Sequence, residues 1–357
     1  MVNELERSFA KTFGMKYGIA VNSGTSALHT SLVACGVELN DEVISPALTV
    51  IMNTFATIYL GAIPIYADID PETFTISPKD IEKKITPRTK AIQVVSTYGL
   101  SSDMDAIMEI AKKYKLYVIE DNAEAVLSYY KGKIVGSIGH MSCFSFESSK
   151  HINTGEGGMI LTDDETLALR ARKFAGLGYT TLTASEGRPK LKKELFQDPD
   201  FDRHDSIGFN YRMPVKIAEL ALSQLQGLGN RIKARQVSAE CFLKAIEDCS
   251  WLIPQKIPEG YVSSYWAFAV RYEGKVSWKE FYNKYKEMGG EGFYAAWRVP
   301  YLEPVIRNSN YGKNYEVSCS VAESLQPKLM VFPTNYSEER ANFMAFNLKR
   351  TIDYYGG

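Results

Sequence analysis

Apolar and polar positions in the first 160 residues alternate between two periodicities. Short runs of mostly apolar residues, of the length of buried strands, are followed by segments with apolar residues at helical spacing. The predicted strands cover 16–21, 42–45, 63–67, 90–96 and 116–120, and the predicted helices cover 2–13, 27–34, 50–60 and 102–114. Near-continuous apolar strands that alternate with helices indicate a mostly parallel sheet covered on both faces. The expected fold class is therefore α/β.

The periodicity changes after residue 163. Residues 165–175 predict a helix, and the polar, lysine-rich stretch 176–205 predicts a long loop. Helices at 215–228 and 232–248 come next, and the remainder combines an alternating strand at 265–272 with helical segments. We therefore expect two domains, a large α/β domain over residues 1–230 and a smaller α+β domain over residues 231–357.

Polar residues directly after the predicted strands are candidate ligand-binding groups, since ligands of parallel α/β sheets bind at the carboxyl ends of strands. After the first strand, residues 22–26 read NSGTS and open a helix, which offers backbone N–H groups, hydroxyls and the helix dipole to a phosphate. An ordinary capped helix is equally open. Asp121 ends the strand at 116–120, and a partly buried carboxylate there needs a cationic partner, such as a protonated heterocycle. A helix cap or a surface aspartate is the alternative.

The stretch 143–160 reads CFSFESSKHINTGEGGMI. It places Ser145 and Lys150 before a turn with three glycines in four positions, where the backbone can approach a ligand closely. An amine beside hydroxyl and N–H donors is suited to a Schiff base next to a phosphate. A surface lysine beside a glycine-rich turn is the alternative.

Composition excludes several classes of protein. Hydrophobic residues make up 45% of the 357 residues and the formal net charge is −1, which favours a large core and argues against nucleic acid or an anionic membrane as the main partner. No apolar run reaches a membrane-spanning length of about 18 residues, and residues 1–14 have an amphipathic helix pattern and not that of a secretory signal, so we expect neither a transmembrane helix nor a signal peptide. The cysteines and histidines lack the spacing of disulfide frameworks or metal sites, so we expect no metal. A cytoplasmic enzyme is the expectation.

A series of motifs follows in a fixed order: AVNSGTSAL, DEVISPALT, ADIDPETFTISP, ITPRTKAIQVVSTYGLSSDMDAI, VIEDNAEA, FSFESSK with TGEGG, and GFNYRM. Together they resemble those of the DegT/DnrJ/EryC1/StrS sugar aminotransferases, which are pyridoxal 5′-phosphate (PLP) enzymes. The resemblance covers nearly the whole chain. It implies a fold-type I PLP-transferase with a large, mostly parallel sheet domain and a smaller C-terminal α+β domain.

The resemblance also implies two catalytic residues. Lys150 matches the lysine that binds PLP covalently. Asp121 matches the carboxylate that pairs with the pyridine nitrogen and keeps the ring protonated, so that the ring can act as an electron sink.

Further cofactor-binding residues follow from the same resemblance. Gly24 and Thr25, with Ser23 beside them, match the phosphate-binding turn, and Ser145 matches a hydroxyl on the same phosphate. Asn210 matches an asparagine that reaches into the neighbouring subunit's active site. A homodimer with its active sites at the interface is therefore implied.

The chain departs from the family pattern at four places. Glu124 stands where glutamine is common near the cofactor's 3-oxygen, and it is included among the cofactor-binding residues. Val50 stands where an aromatic ring often stacks on PLP. The chain also begins later than is usual, and residues 294–305 read YAAWRVPYLEPV instead of a histidine-containing loop.

The function implied is transfer of an amino group from an amino acid, L-glutamate, to a keto sugar. A nucleotide-linked 4-keto-6-deoxy sugar for surface polysaccharide or glycan synthesis is the first expectation. An oxidised eight-carbon sugar acid, a PLP-dependent sugar dehydratase and a non-catalytic PLP-binding regulator are the alternatives. Related dehydratases carry histidine at the lysine position, whereas Lys150 is in register here. Arg298, Arg203 and Lys190 are candidates to bind a diphosphate or a carboxylate.

Overall fold

The computed structural model describes residues 1–187, 193–313 and 318–356. The strands in these residues are β1 Tyr17–Val21, β2 Glu42–Pro46, β3 Ile63–Ala67, β4 Thr89–Val95, β5 Tyr117–Asp121, β6 Tyr129–Tyr130, β7 Lys133–Ile134, β8 Met141–Ser145, β9 Gly158–Thr162, β10 Leu252–Pro254, β11 Tyr261–Val262, β12 Ala267–Tyr272, β13 Tyr294–Ala295 and β14 Leu329–Pro333.

The helices of the described residues are α1 Val2–Phe13, α2 Gly24–Ala34, α3 Met52–Ile58, α4 Pro78–Lys84, α5 Met104–Tyr114, α6 Glu165–Ala175, α7 Lys193–Gln197, α8 Val215–Gln226, α9 Leu228–Ala245, α10 Trp278–Glu287, α11 Pro304–Arg307, α12 Asn310–Lys313, α13 Ser320–Leu325 and α14 Glu338–Tyr354. None of them is both long enough and apolar enough to cross a bilayer. Short 3₁₀ turns lie at Thr97–Gly99, Pro300–Leu302 and Gln326–Lys328.

The first half of the chain forms a seven-stranded sheet in the order β1-β9-β8-β5-β4-β2-β3. The strands from β8 to β3 are parallel, and β9 is antiparallel to both of its neighbours. The predicted α/β class with a mostly parallel sheet is confirmed. Strand β9 was not predicted, because its short apolar run follows the glycine turn directly.

Helices cover both faces of this sheet, as the alternation of side chains along the strands requires. Cys143 of β8 packs in a cluster with α2 and α6, whereas the next residue, Phe144, packs in a separate cluster with α1 and α8. The carboxyl ends of β5 and β8 are left at the edge between these layers, where polar residues follow the strands.

The second half of the chain forms a four-stranded antiparallel sheet in the order β10-β12-β14-β13. Helices α9, α10 and α14 share a buried cluster with its strands. Strand β11 pairs with the β6–β7 hairpin of the first half. The division between residues 230 and 231 stays a prediction; it falls near the start of α9.

The prediction of an unbroken loop over 176–205 was wrong where α7 forms. Two isolated antiparallel bridges, Gly176 with Asn210 and Tyr179 with His204, also hold parts of this region. Residues 188–192, including Lys190, lie outside the described residues.

Candidate active site

A cavity of about 550 Å³ lies where the carboxyl ends of β5 and β8 meet the four-stranded sheet. It gathers most of the residues predicted to act together, although they come from distant parts of the sequence. The predicted residues that line it are Ser23, Gly24, Thr25, Asp121, Ser145 and Lys150. Of the described lining residues, Lys150 alone is basic.

Lys150 is held inside this cavity by two contacts. Its Nζ lies 3.1 Å from Oε1 of Glu124 and 4.3 Å from the ring centroid of Trp266. The other oxygen of Glu124 accepts a 3.0 Å hydrogen bond from the backbone N–H of Tyr98. Burial raises the pKa of Glu124, and the charge of Lys150 opposes that rise. Only 11% of the Lys150 side chain is exposed, so it is not a surface lysine.

Asp121 is a buried carboxyl group with hydrogen-bond donors but no basic residue in direct contact. Its Oδ2 accepts from the Asn53 side chain at 2.9 Å, and its Oδ1 accepts from the backbone N–H of Ala123 at 3.1 Å. Burial raises its pKa, and the Asn53 hydrogen bond opposes the rise. No lysine or arginine of the described ranges forms an ion pair with it. A cationic ring nitrogen in the cavity would supply the missing partner.

The start of α2 approaches the end of β8 so closely that glycine is required at position 24. A Cβ added to Gly24 would lie 2.8 Å from Cβ of Ser145, which real Cβ contacts essentially never show. The Ser23 hydroxyl is engaged in capping the helix, since it accepts from the backbone N–H of Ser26 at 3.0 Å. Helix N–H groups, Thr25 and the Ser145 hydroxyl remain to meet a phosphate.

Asn210 does not line the cavity of its own chain. It is exposed and pairs with Gly176 through an isolated bridge, in a segment where Phe209 is 48% exposed. Its role in a neighbouring subunit stays a prediction.

The sequence model of the DegT/DnrJ/EryC1/StrS aminotransferase family matches residues 1–342. The chain belongs to this family. The resemblance derived from the motifs is therefore confirmed, over nearly the full length.

Individual relatives of this aminotransferase support the same assignment. The chain is 40% identical over 269 residues to a GDP-perosamine synthase of Escherichia coli O157:H7, covering 75% of this chain and 69% of the relative. It is 43% identical over 233 residues to a GDP-perosamine synthase of Caulobacter vibrioides, covering 65% of this chain and 58% of the relative. The solved aminotransferase of Psychrobacter cryohalolentis has a TM-score of 0.90 at 28% identity, covering 100% of this chain and 92% of that one.

The family is PLP-dependent, and the cavity of this aminotransferase fits the cofactor. Asp121 is a buried carboxyl group with no ion-pair partner among the described lysines and arginines, Lys150 supplies an enclosed amine, and the missing side chain of Gly24 leaves space for a phosphate. These three features stand at separate points of one cavity, as a ring with a carbonyl and a phosphate group demands.

Reasoning from the sequence missed an aromatic wall on the cavity of this aminotransferase. Trp266 and Trp297 stack with ring centroids 5.6 Å apart, and Tyr98 stacks on both, at 6.4 Å and 5.9 Å respectively. Val50 lines the same cavity without a ring of its own. The chain has four tryptophans, but which of them face the cavity depends on how the two sheets pack, so no local pattern in the sequence identifies them.

Charged residues of the aminotransferase are distributed differently from the expectation. Two further carboxylates, Glu147 and Glu156, line the cavity, whereas Arg298 and Arg203 are exposed and do not. The partner of Asp121, Asn53, was also missed, because it lies on α3 and reaches the end of β5 only in the folded sheet.

Proposed function

We propose that this aminotransferase moves an amino group from L-glutamate to a keto sugar, with Lys150 and Asp121 as its catalytic residues. The observation that carries the proposal is the enclosed amine of Lys150 in one cavity with the buried carboxyl group of Asp121, which forms no ion pair with a lysine or arginine of the described residues. If Lys150 and Asp121 were ordinary surface residues, the Lys150 amine would be exposed to water and Asp121 would be expected to pair with a basic side chain.

The residues of the chain divide the work. Asp121 orients the cofactor ring and meets its nitrogen, while Gly24, Thr25 and Ser145 hold the phosphate. When bound, PLP supplies an electron sink for the charge left on a carbon that has lost its proton. Lys150 carries that proton, and a positioned base of this kind contributes roughly 10²–10⁴-fold. Glu124 accepts a hydrogen bond from the Lys150 amine when that amine is free.

The sugar substrate that we propose is a nucleotide-linked 4-keto-6-deoxy sugar, which would place the enzyme in surface polysaccharide or glycan synthesis. The similarity to GDP-perosamine synthases supports this choice. An aromatic wall suits the apolar face of a sugar ring, and Glu147 and Glu156 can accept hydrogen bonds from sugar hydroxyls. An oxidised eight-carbon sugar acid is the second candidate. The presence of Lys150 argues against a dehydratase or a non-catalytic regulator, and a cytoplasmic location remains part of the proposal.

We further propose that two copies of the chain form a homodimer through the face that carries Asn210. Apolar residues are exposed there, with Ile207 at 92%, Tyr59 at 57% and Phe209 at 48%, and such a patch is typical of protein interfaces. No arginine of the described residues lines the cavity. We therefore expect the partner subunit to contribute the positive charges that bind an anionic substrate.

The test uses Lys150→Ala in the full-length protein. After unbound PLP is removed, the wild type should retain a visible absorbance band that decays on addition of L-glutamate, and candidate keto sugars should restore it. The variant should show neither band nor transfer. Lys113→Ala is the matched control, since Lys113 also pairs with a glutamate, Glu82 at 2.7 Å, but on the surface. Transfer that survives in Lys150→Ala would overturn the proposal.

A further inference from the structure

Arg235 of α9 is a buried arginine that bonds to neutral groups only. Just 7% of it is exposed, and no carboxylate of the described residues forms an ion pair with it. Its Nη2 donates to the carbonyl of Ser149 at 3.0 Å, and its Nη1 donates to the carbonyl of Trp266 at 2.8 Å and to the Thr334 hydroxyl at 3.2 Å. Burial lowers the pKa of Arg235 to about 10. Burial of a guanidinium without a carboxylate partner costs folding free energy, so this arginine is a candidate for a functional role.

Trp266 also donates a hydrogen bond to the Ser149 carbonyl. Its indole N–H donates to the carbonyl of Ser149 at 3.0 Å, while its ring lies 4.3 Å from Nζ of Lys150. The Ser149 carbonyl therefore receives two hydrogen bonds, which is the full capacity of its lone pairs. Because Arg235 also holds the carbonyl of Trp266, the three residues form a closed set of contacts immediately before Lys150.

This set connects Lys150 with the four-stranded sheet. Trp266 directly precedes β12, and Thr334 directly follows β14, whose strands pair with each other. The single proton of the Thr334 hydroxyl is shared by the carbonyls of Tyr265 and Trp266, at 2.5 Å and 3.0 Å, the residues that directly precede β12. The backbone at Ser149 and Lys150 follows β8 of the seven-stranded sheet, but its position is fixed by hydrogen bonds from residues next to the four-stranded sheet.

We propose that Arg235 and Trp266 are positioning residues that form a bracket around the Ser149 carbonyl and so set the place of the Lys150 amine in the cavity. A displacement of the four-stranded sheet would move the amine with it. The bracket rests on the proposed role of Lys150, but it also makes a statement about the protein without cofactor. In the protein without cofactor, the hydrogen bonds from Arg235 and Trp266 should keep the Lys150 amine less accessible to reagents than it is when one of these bonds is removed.

The decisive variant is Trp266→Phe, which keeps an aromatic ring beside Lys150 and removes the indole N–H. Trp278→Phe is the matched control, since Trp278 is also half-buried and donates from its indole to a carbonyl, that of Leu329 at 3.2 Å. Both proteins should lose similar thermal stability. Only Trp266→Phe should weaken PLP binding, by about fivefold to tenfold, the factor expected for one lost hydrogen bond.

A second measurement does not depend on PLP. Full-length protein freed of cofactor is labelled with a trace of acetic anhydride, and peptide mass spectrometry compares Lys150 with the other lysines. We expect Lys150 to label about fivefold faster in Trp266→Phe than in wild type, and at the wild-type rate in Trp278→Phe. Arg235→Met should have the larger effect and Arg235→Lys a smaller one, because a lysine keeps the charge but cannot span both carbonyls.

The two proposals fail in different ways. If the labelling of Lys150 changes equally in Trp266→Phe and Trp278→Phe, or in neither, the bracket is refuted whatever PLP does. If wild-type protein gives no visible band with PLP, the aminotransferase mechanism is refuted whatever the labelling shows.

Discussion

Single residues in the cavity are arranged for binding at the expense of stability. Asp121 and Glu124 are both buried carboxyl groups, and burial raises the pKa of each in the folded protein. A carboxyl group with a raised folded-state pKa binds its proton more readily in the folded than in the unfolded chain. Its contribution to stability is therefore complete below the unfolded pKa and is lost as pH rises through the folded pKa.

Asp121→Asn should consequently stabilise the protein without cofactor, by about 1 kcal/mol at neutral pH, the usual gain on relieving a functional site. The substituted amide can still accept from Ala123, and once the Asn53 amide turns over it can donate to Oδ1 of Asn53, which has no partner in the described structure. The gain should vanish below the unfolded pKa of about 4 and grow as pH increases. Urea unfolding of both proteins from pH 3.5 to pH 8 measures it. A difference that is constant with pH would contradict this account.

The same substitution should abolish most transfer activity, because the ring nitrogen loses its counter-charge. A loss of about 10²-fold or more in kcat is expected, on the scale of one removed electrostatic partner. Steady-state rates with saturating PLP separate this effect from weaker cofactor binding. Activity near that of the wild type would show that Asp121 is not the partner of the ring.

For single residues, the sequence was informative where a strand end or a motif marks the site. Asp121 was predicted because it ends an apolar strand, whereas Lys150 and Ser145 were predicted from their glycine-rich stretch and from the family resemblance. Trp266 and Arg235 could not be predicted, because they reach the Ser149 carbonyl from the four-stranded sheet and from α9 respectively, and no local pattern encodes that meeting.

Among the secondary-structure elements, α1 is attached to the large sheet by a buried ion pair. Arg172 of α6 makes two 3.0 Å bonds to the carboxylate of Glu6, and it also donates to the carbonyls of Gly18 and Ala184, at 2.7 Å and 2.8 Å. Glu6 in turn accepts from the backbone N–H of Ala20 at 2.9 Å. The amphipathic pattern predicted α1, but not this connection to β1, since the two charges are far apart in the sequence.

Arg172→Met should destabilise the protein by about 3–5 kcal/mol, because it leaves the Glu6 carboxylate buried without a counter-charge. Adding Glu6→Gln should recover part of the loss, since the neutral amide still accepts from Ala20 and carries no buried charge. Urea unfolding of the two single variants and the double variant gives the coupling. Simple additivity of the two single effects would show that the pair does not act as a unit.

In the molecule as a whole, two sheets of different origin enclose one cavity. The change of periodicity predicted the two types of sheet, and family resemblance predicted the cofactor. Neither could predict how closely the four-stranded sheet approaches Lys150, because that depends on packing between residues more than a hundred positions apart.

The proposed dimer makes a prediction about mixtures of variants. Lys150→Ala removes the amine, and Asn210→Ala removes the side chain that we expect to act in the other subunit. Each should be inactive alone, whereas an equimolar mixture, exchanged under mild denaturant, should regain about one quarter of wild-type activity, from one intact site in each mixed dimer. Activity assays after exchange measure this. If the mixture stays inactive while sedimentation shows dimers, Asn210 does not act across the interface.

The aromatic wall has an optical consequence. Trp266 and Trp297 line the cavity, whereas Trp251 and Trp278 pack around the four-stranded sheet. A cofactor that absorbs near the emission wavelengths of indole, when held against the first pair, quenches their fluorescence by energy transfer and affects the second pair less. The protein thus carries its own reporter of cofactor occupancy, and its tryptophan emission should fall as PLP fills the cavity.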